Sequence, residues 1–154
     1  MDIQQITATQ RLILGRIFLE GTWVGCVRTP NGPTITIEFI DQASGQTIVR
    51  GRQFDPQGNS LASWTSESVL IDTGRLTLSY AYLCDVFSKS SSHQGLASFA
   101  MIVQAPDHSP SKLDGYSIDI TNGSRDKNTE FKLADTPMDD TNAIAEAKRL
   151  FGIP

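Results

Sequence analysis

The chain has few of the features that identify enzymes, membrane proteins or nucleic-acid-binding proteins. Its 154 residues include two cysteines, two histidines and 13 basic residues against 17 acidic ones. The formal net charge of -4 argues against binding to polymeric nucleic acid, which needs many Lys and Arg contacts to phosphate. No apolar run approaches 18 residues, so we expect no membrane span. The N-terminus lacks a basic region followed by an apolar stretch, which predicts no secretory signal and a cytoplasmic location.

The cysteines and histidines lack the spacing of metal or catalytic sites. Cys26 and Cys84 lie in separate apolar segments, where a free thiol behaves as a small hydrophobe; a disulfide between them is the alternative. His93 and His108 fall in segments predicted as polar loops and are interpreted as solvated side chains. No H-x-H or H-E-x-x-H pattern is present, so we predict no metal site.

The remaining polar residues do not form a catalytic motif either. The chain contains no P-loop, no Gly-x-Gly-x-x-Gly and no Gly-x-Ser-x-Gly. Asp85, Asp114 and Asp119 have no recognisable partner for acid–base catalysis, and Asp114 before Gly115 is typical of a turn. We therefore predict that the protein is not an enzyme and uses no cofactor.

Hydrophobic periodicity predicts a single domain with a helix at each end. Apolar residues near the N-terminus, such as Ile13 and Ile17, recur at three- and four-residue intervals, which indicates an amphipathic helix. It is expected to pack on the barrel or close its mouth, or else to continue from an upstream segment. Asp139 begins the last helix as a cap. The predicted elements are a helix over residues 3–18, a barrel over residues 19–134 and a helix over residues 139–151.

The period changes to two from residue 21 onward, which predicts strands. Ile35, Ile37 and Phe39 share one face of a strand, and residues 61–73 form either two short strands or one bent strand. Eight or nine strands at about ten-residue spacing indicate a mainly β fold. The prediction is an antiparallel up-and-down barrel of eight strands with an N-terminal helix and a short C-terminal helix.

The strands open with the segment Leu19-Glu20-Gly21-Thr22-Trp23-Val24-Gly25. Gly21 allows a close backbone approach there, and the indole of Trp23 is expected to plug one end of the barrel. This Leu-x-Gly-x-Trp-x-Gly pattern resembles the opening of calycin (lipocalin-like) barrels. In many lipocalins an arginine near the last strand packs on the indole, and Lys132 is its rough counterpart in this chain.

A narrower resemblance is to the barrel domain of bacterial membrane-anchored effectors in cyclic-oligonucleotide antiphage signalling. It covers residues 19–134 and rests on the order and spacing of Trp64-Thr65-Ser66, Leu78-Ser79-Tyr80-Ala81-Tyr82, Gly95-Leu96-Ala97-Ser98-Phe99, and Leu113-Asp114-Gly115-Tyr116 followed by Asp119. In that family two transmembrane helices precede a barrel that senses a cyclic dinucleotide. The resemblance implies a cyclic-oligonucleotide ligand and self-association. Because such helices are not found here, we expect a soluble relative or a barrel from a longer protein.

Two arginines are the candidate ligands for phosphate. A guanidinium donates hydrogen bonds in pairs and stays charged, which suits it to this role. Arg50 and Arg52 lie two positions apart, so both point to one face of their strand, with Ile48 and Phe54. The alternative is a solvated outer face, with Val49 and its neighbours turned inward.

Aromatic side chains are the other candidates, because a flat ring offers contact area at little entropic loss. They are Trp64, Tyr80, Tyr82, Phe99 and Tyr116, each with core packing as the alternative. Two further functions remain open. A carrier or sensor of an apolar ligand is predicted if Ile35, Ile37 and Phe39 face a cavity. A ligand-free protein-interaction module is predicted if the lumen is packed and the N-terminal helix exposes an apolar face.

Overall fold

The computed structural model describes residues 3–89, 92–104 and 109–154, and it shows a closed barrel of eight antiparallel strands. The predicted fold class is therefore confirmed. Each strand pairs with the next along the chain, and the last pairs with the first. The elements are α1 (Ile3–Leu14), a 3-10 turn (Gly15–Ile17), β1 (Gly21–Thr29), β2 (Gly32–Asp41), β3 (Ile48–Phe54), β4 (Ser60–Asp72), β5 (Thr77–Val86), β6 (Ser92–Val103), β7 (Pro110–Asp119), β8 (Arg125–Ala134) and α2 (Asp140–Phe151).

Strand lengths differ from the sequence prediction in the second half of the chain. The segment 61–73 is one strand, β4, with an irregularity between Ser66 and Ser68. Strand β6 begins with polar residues that complete the ladder with β5; His93, for example, pairs with Cys84. The interpretation of His93 as a loop residue was therefore wrong. His108 lies outside the described residues.

One end of the barrel is closed by Trp23, which is fully buried and donates from Nε1 to the Leu19 carbonyl oxygen at 2.8 Å. Gly21 has φ of 132°, and a Cβ there would overlap the carbonyl oxygen of Ala134 in β8. The ammonium nitrogen of Lys132 lies 5.8 Å from the centre of the Trp23 ring. Lys132 therefore lies close to the indole, as expected for the counterpart of the arginine named above.

The half of the lumen next to Trp23 is filled with side chains. Its inward-facing residues alternate along the strands, as expected for a barrel interior. The buried members of this core are Leu19, Trp23, Ile40, Val49, Leu78, Tyr80, Ala97, Phe99, Met101 and Leu113. The opposite half of the lumen is less completely filled, and the core lies beneath it.

Helix α2 covers the outside of the barrel. Ala143 and Ala147 pack against Ile35, Ile37 and other apolar side chains of the strands beneath. The helix begins at the predicted cap, where the Asp139 carboxylate accepts from the amide of Asn142 at 3.0 Å. Because α2 buries this outer surface, the apolar side of β2 faces away from the lumen.

The last turn of helix α1 exposes apolar side chains. Leu12 and Ile13 in its last turn are 87% and 76% exposed. Arg11 makes the contact back to the barrel, through an ion pair of 2.9 Å with Asp135. Among the residues described, no helix combines the length and the apolar character needed to cross a membrane.

Replacing Trp23 with Ala removes the plug of the closed end and leaves a cavity between Leu19 and the core. We expect Trp23→Ala to lower the free energy of unfolding by about 3–5 kcal/mol, as for other buried aromatic truncations. Leu12→Ala, at an exposed site, should change it by less than about 0.5 kcal/mol. Urea denaturation of both variants measures this, and equal effects would contradict the assignment.

Candidate functional site

A cavity of about 190 Å³ occupies the half of the lumen opposite Trp23. It opens at the barrel end where β5 finishes and β8 starts, with Val86 and Asp126 in its wall. All of its lining residues except Ser124 lie in strands, at the alternate positions that face inward. The 18 lining residues are Val27, Thr36, Glu38, Gln53, Ala62, Trp64, Tyr80, Tyr82, Cys84, Val86, His93, Ala97, Phe99, Ser117, Asp119, Ser124, Asp126 and Asn128.

The floor of this cavity contains a buried carboxylate, Glu38, which is 1% exposed. Its Oε1 accepts two hydrogen bonds, from Trp64 Nε1 at 2.8 Å and from the Tyr80 hydroxyl at 2.6 Å. Two donors on one oxygen hold the carboxylate in a fixed orientation. They also stabilise its charged form, since hydrogen bonds from neutral donors favour a buried anion.

A second buried carboxyl, Glu130 of β8, pairs with Glu38. Glu130 is fully buried, and its Oε1 accepts from Asn128 Nδ2 at 2.7 Å. The Oε2 atoms of Glu38 and Glu130 are buried and receive no hydrogen bond from any described donor group. The two carboxyls are themselves within hydrogen-bonding contact. Protonation of one carboxyl would supply a donor that the other can accept.

Burial affects both carboxyls, whereas the hydrogen-bond donors around them differ. Loss of hydration raises the pKa of Glu38, while its bonds from Tyr80 and Trp64 act in the opposite direction. Burial raises the pKa of Glu130 well above its ordinary value, and the negative charge of Glu38 raises it further. Since Glu38 accepts two donors and Glu130 only one, the geometry favours Glu38 as the ionised partner and Glu130 as the protonated one.

Glycines create the space that these side chains occupy. A Cβ on Gly51 would overlap the indole of Trp64, and a Cβ on Gly95 would overlap the ring of Tyr82. A Cβ on Gly25 would lie 2.8 Å from Asn128 Oδ1 and 3.0 Å from Glu130 Cγ. Trp64, Tyr82 and Glu130 thus each lie against a wall position that has no side chain.

The outer part of the cavity is also acidic. His93 Nε2 lies 3.8 Å from the Asp119 carboxylate, and Asp126 adds a second carboxylate near the rim. Cys84 is a free thiol, and burial raises its pKa to about 11, which keeps it protonated at neutral pH. None of the described lining residues is Lys or Arg.

Four of the five predicted aromatic residues meet in this cavity. Trp64 and Tyr82 have ring centres 6.3 Å apart and tilted by 48°, and Tyr80 and Tyr82 are 5.9 Å apart. Tyr80 also stacks on Phe99 at 6.3 Å. Tyr80 and Phe99 belong to the filled core as well, so packing and cavity lining are not exclusive for them.

The structure places the other predicted site residues outside the lumen. Arg50 and Arg52 project from the outer face of β3 and pair with Asp41 at 3.7 Å and Asp140 at 2.6 Å. Gly51 between them is the inward position, which corrects the expectation that the arginines line a ligand cavity. Tyr116 is also on the outer surface, with the Arg125 guanidinium 3.7 Å from its ring centre.

Sequence reasoning missed Glu38, Glu130 and Asn128. Glu38 lies between Ile37 and Phe39 on an alternating strand. Such alternation normally means that the apolar residues face the interior and the polar residue faces solvent. Helix α2 reverses that assignment. The available signal was the pairing of inward positions across β1, since Glu38 and Glu130 lie on its two neighbouring strands.

Comparison of the chain with protein-family models, with curated proteins and with solved structures finds no match. The barrel fold therefore stands on the structure alone. The likeness to calycin barrels and to antiphage effectors stays a prediction from short sequence motifs.

Glu130→Gln tests the protonation of the carboxyl pair. The folded protein retains a proton on Glu130 that the unfolded chain loses above a pKa of about 4.3. Wild-type stability should therefore fall as pH rises above that value, because the folded state binds more protons than the unfolded state. The variant, whose amide still donates to Glu38, should lose less stability between pH 5 and pH 8.

Exposed Glu67→Gln is the matched control and should keep the wild-type pH dependence. Urea denaturation at several pH values measures all three proteins. Parallel curves for wild type and Glu130→Gln would show that Glu130 is ionised in the folded state.

Gly51→Ala should disturb Trp64 specifically. The added methyl group overlaps the indole, so we expect a loss of about 1–3 kcal/mol in unfolding free energy and a changed Trp64 fluorescence spectrum. Gly74→Ala is the control, since its Cβ would meet only Asp72 Oδ1 at 3.4 Å. An unaltered spectrum in Gly51→Ala would mean that the indole does not lie over Gly51.

Proposed function

We propose that the barrel binds a small organic cation in its lumen. The observation that carries this proposal is the charge of the cavity wall. Glu38, Asp119 and Asp126 line it, and no described lining residue is Lys or Arg. An anionic ligand would enter an acidic compartment of reduced dielectric, where like charges repel strongly. A cation is attracted to the same compartment.

The aromatic residues suit the same class of ligand. Trp64 and Tyr82 form a tilted pair beside the ionised floor carboxylate. A cation over the face of such a ring gains about 0.5–2 kcal/mol, with the larger value in a desolvated site. The rings also offer apolar area to the uncharged part of the ligand.

The size of the cavity limits the ligand to about one ring. Its volume of about 190 Å³ compares with roughly 150 Å³ for an engineered cavity that binds benzene. A six-membered ring with a short aminoalkyl arm fits this space. Benzylamine is therefore the natural first probe.

Binding is supported over catalysis by the state of the candidate nucleophile. Cys84 lines the cavity, but its raised pKa keeps the thiol protonated and unreactive. The proposal also differs from the ligand that the sequence resemblance implies. A cyclic oligonucleotide remains a prediction, and its natural contacts would be Arg50 and Arg52 beside the outer groove that they line with Phe39 and Met138.

An apolar carrier has less support. That function was predicted if Ile35, Ile37 and Phe39 face a cavity. Ile35 and Ile37 pack beneath α2, Phe39 lines an outer groove, and none of the three lines the lumen cavity described above. The interaction module predicted a packed lumen, whereas the described lumen contains the cavity. The exposed Leu12 and Ile13 are the feature that favours this third function.

Thermal unfolding against matched ligands tests the proposal. Benzylamine should stabilise the protein, whereas benzyl alcohol and benzoate, which keep the ring but not the positive charge, should not. At a hundred times its Kd a ligand adds about 2.7 kcal/mol. For a domain of this size we expect a rise in Tm of roughly 5–10 °C. Cyclic dinucleotides and fatty acids complete the panel, and a shift confined to either would contradict the proposal.

Variants locate the binding site. Glu38→Gln should weaken benzylamine binding at least tenfold, because it removes the floor charge while keeping an acceptor for Trp64 and Tyr80. The double variant Arg50→Ala/Arg52→Ala should bind benzylamine as the wild type does. Titration followed by tryptophan fluorescence measures both. Equal affinity for wild type and Glu38→Gln would place the ligand elsewhere.

A further inference from the structure

The paired carboxyls have an unusual distribution of hydrogen-bond donors. Glu38 Oε1 receives two donors and Glu130 Oε1 receives one, while the Oε2 atom of each receives none from the described protein groups. Both side chains are almost completely buried. A proton on one of the two carboxyls would therefore provide a donor where the described protein groups provide none, and it would reduce the charge of the pair from two to one.

We propose that the lumen exchanges this proton for the charge of its ligand, so that each cation bound releases one proton to solvent. The inference rests on the proposed function. The O–H bond of Glu130 breaks, its electron pair stays on the carboxylate, and the proton leaves as the cation enters. The net charge of the lumen is the same before and after binding.

Electrostatics gives the reason for the exchange. A positive charge about 4 Å from the shared proton shifts its dissociation by roughly a thousandfold at the effective dielectric of a protein. Glu130 is held protonated by burial and by the charge of Glu38, and a ligand cation beside Glu38 removes the second of these causes.

Other titratable groups face the same space and must be distinguished from the pair. Strand β5 contributes Tyr80, Tyr82 and Cys84, and burial raises the pKa of each, so they stay neutral. Strand β6 contributes His93, β7 contributes Asp119, and β8 contributes Asp126 in the wall and Lys132 beneath the floor. Histidine is the residue type that most often exchanges protons with solvent in proteins, so His93 needs its own control. It is the competing source of a released proton.

Calorimetric titration with benzylamine at pH 7, in phosphate and in Tris, counts the protons. The observed enthalpies should differ by the difference in buffer ionisation enthalpy multiplied by about one proton. The apparent Kd should rise about tenfold for each unit of pH lowered between pH 8 and pH 6, a range in which benzylamine stays charged. His93→Gln should keep both properties, whereas Glu130→Gln should bind without proton release and with a Kd that does not vary with pH.

The outcomes separate this inference from the proposed function. If benzylamine binds with equal enthalpy in the two buffers, the exchange is wrong and the cation site stands. Loss of the proton signal in His93→Gln would assign the proton to the imidazole and overturn the exchange as well. If benzylamine does not bind, the proposed function itself fails. If Glu130→Gln does not fold, the wild-type proton count and its persistence in His93→Gln still decide the question.

Discussion

The pairing of Glu38 with Glu130 is the constraint on which the interior of this barrel depends. Two carboxyls cannot both be ionised in contact inside a protein, because neither charge is hydrated and each repels the other. One proton and the donors of Trp64, Tyr80 and Asn128 make the pair tolerable. These partners come from β4, β5 and β8, so the pair joins distant strands across the lumen. The carboxyl pair lies at the boundary between the packed half of the barrel and the half that contains the cavity.

Three positions of the segment that opens the strands have distinct roles in the barrel. Gly21 permits contact with β8, Trp23 closes the end of the barrel, and Gly25 leaves room for Glu130 and Asn128. One strand therefore contributes to the contact between β1 and β8, to the closed end of the barrel and to the space around the buried carboxyls. Gly51 and Gly95 provide the same kind of space for Trp64 and Tyr82. Glycine at lumen-facing positions is what lets a small eight-stranded barrel contain large side chains and still keep a cavity.

The barrel could be predicted from the sequence because strand periodicity and turn residues are local properties. The same local pattern could not determine which face of a strand is inside. Ile35 and Ile37 are apolar because α2 covers them, and α2 is about a hundred residues away in the chain. Arg50 and Arg52 were open to two interpretations for a related reason, since Gly51 gave no sign that Trp64 would lie over it. His93 looked like a loop residue until pairing with β5 drew it into a strand. Each of these cases depends on a contact with another element, which the pattern of a single strand does not contain.

The most direct test of this account is the ionisation state of Glu130 itself. The chain contains five glutamates, and selective ¹³C labelling of their carboxyl carbons allows each to be followed by NMR as pH is varied. The account predicts that the Glu130 carboxyl keeps the chemical shift of a protonated acid at pH 7. If all five carboxyls titrate together between about pH 4 and pH 5, the lumen holds no shared proton and the account is wrong.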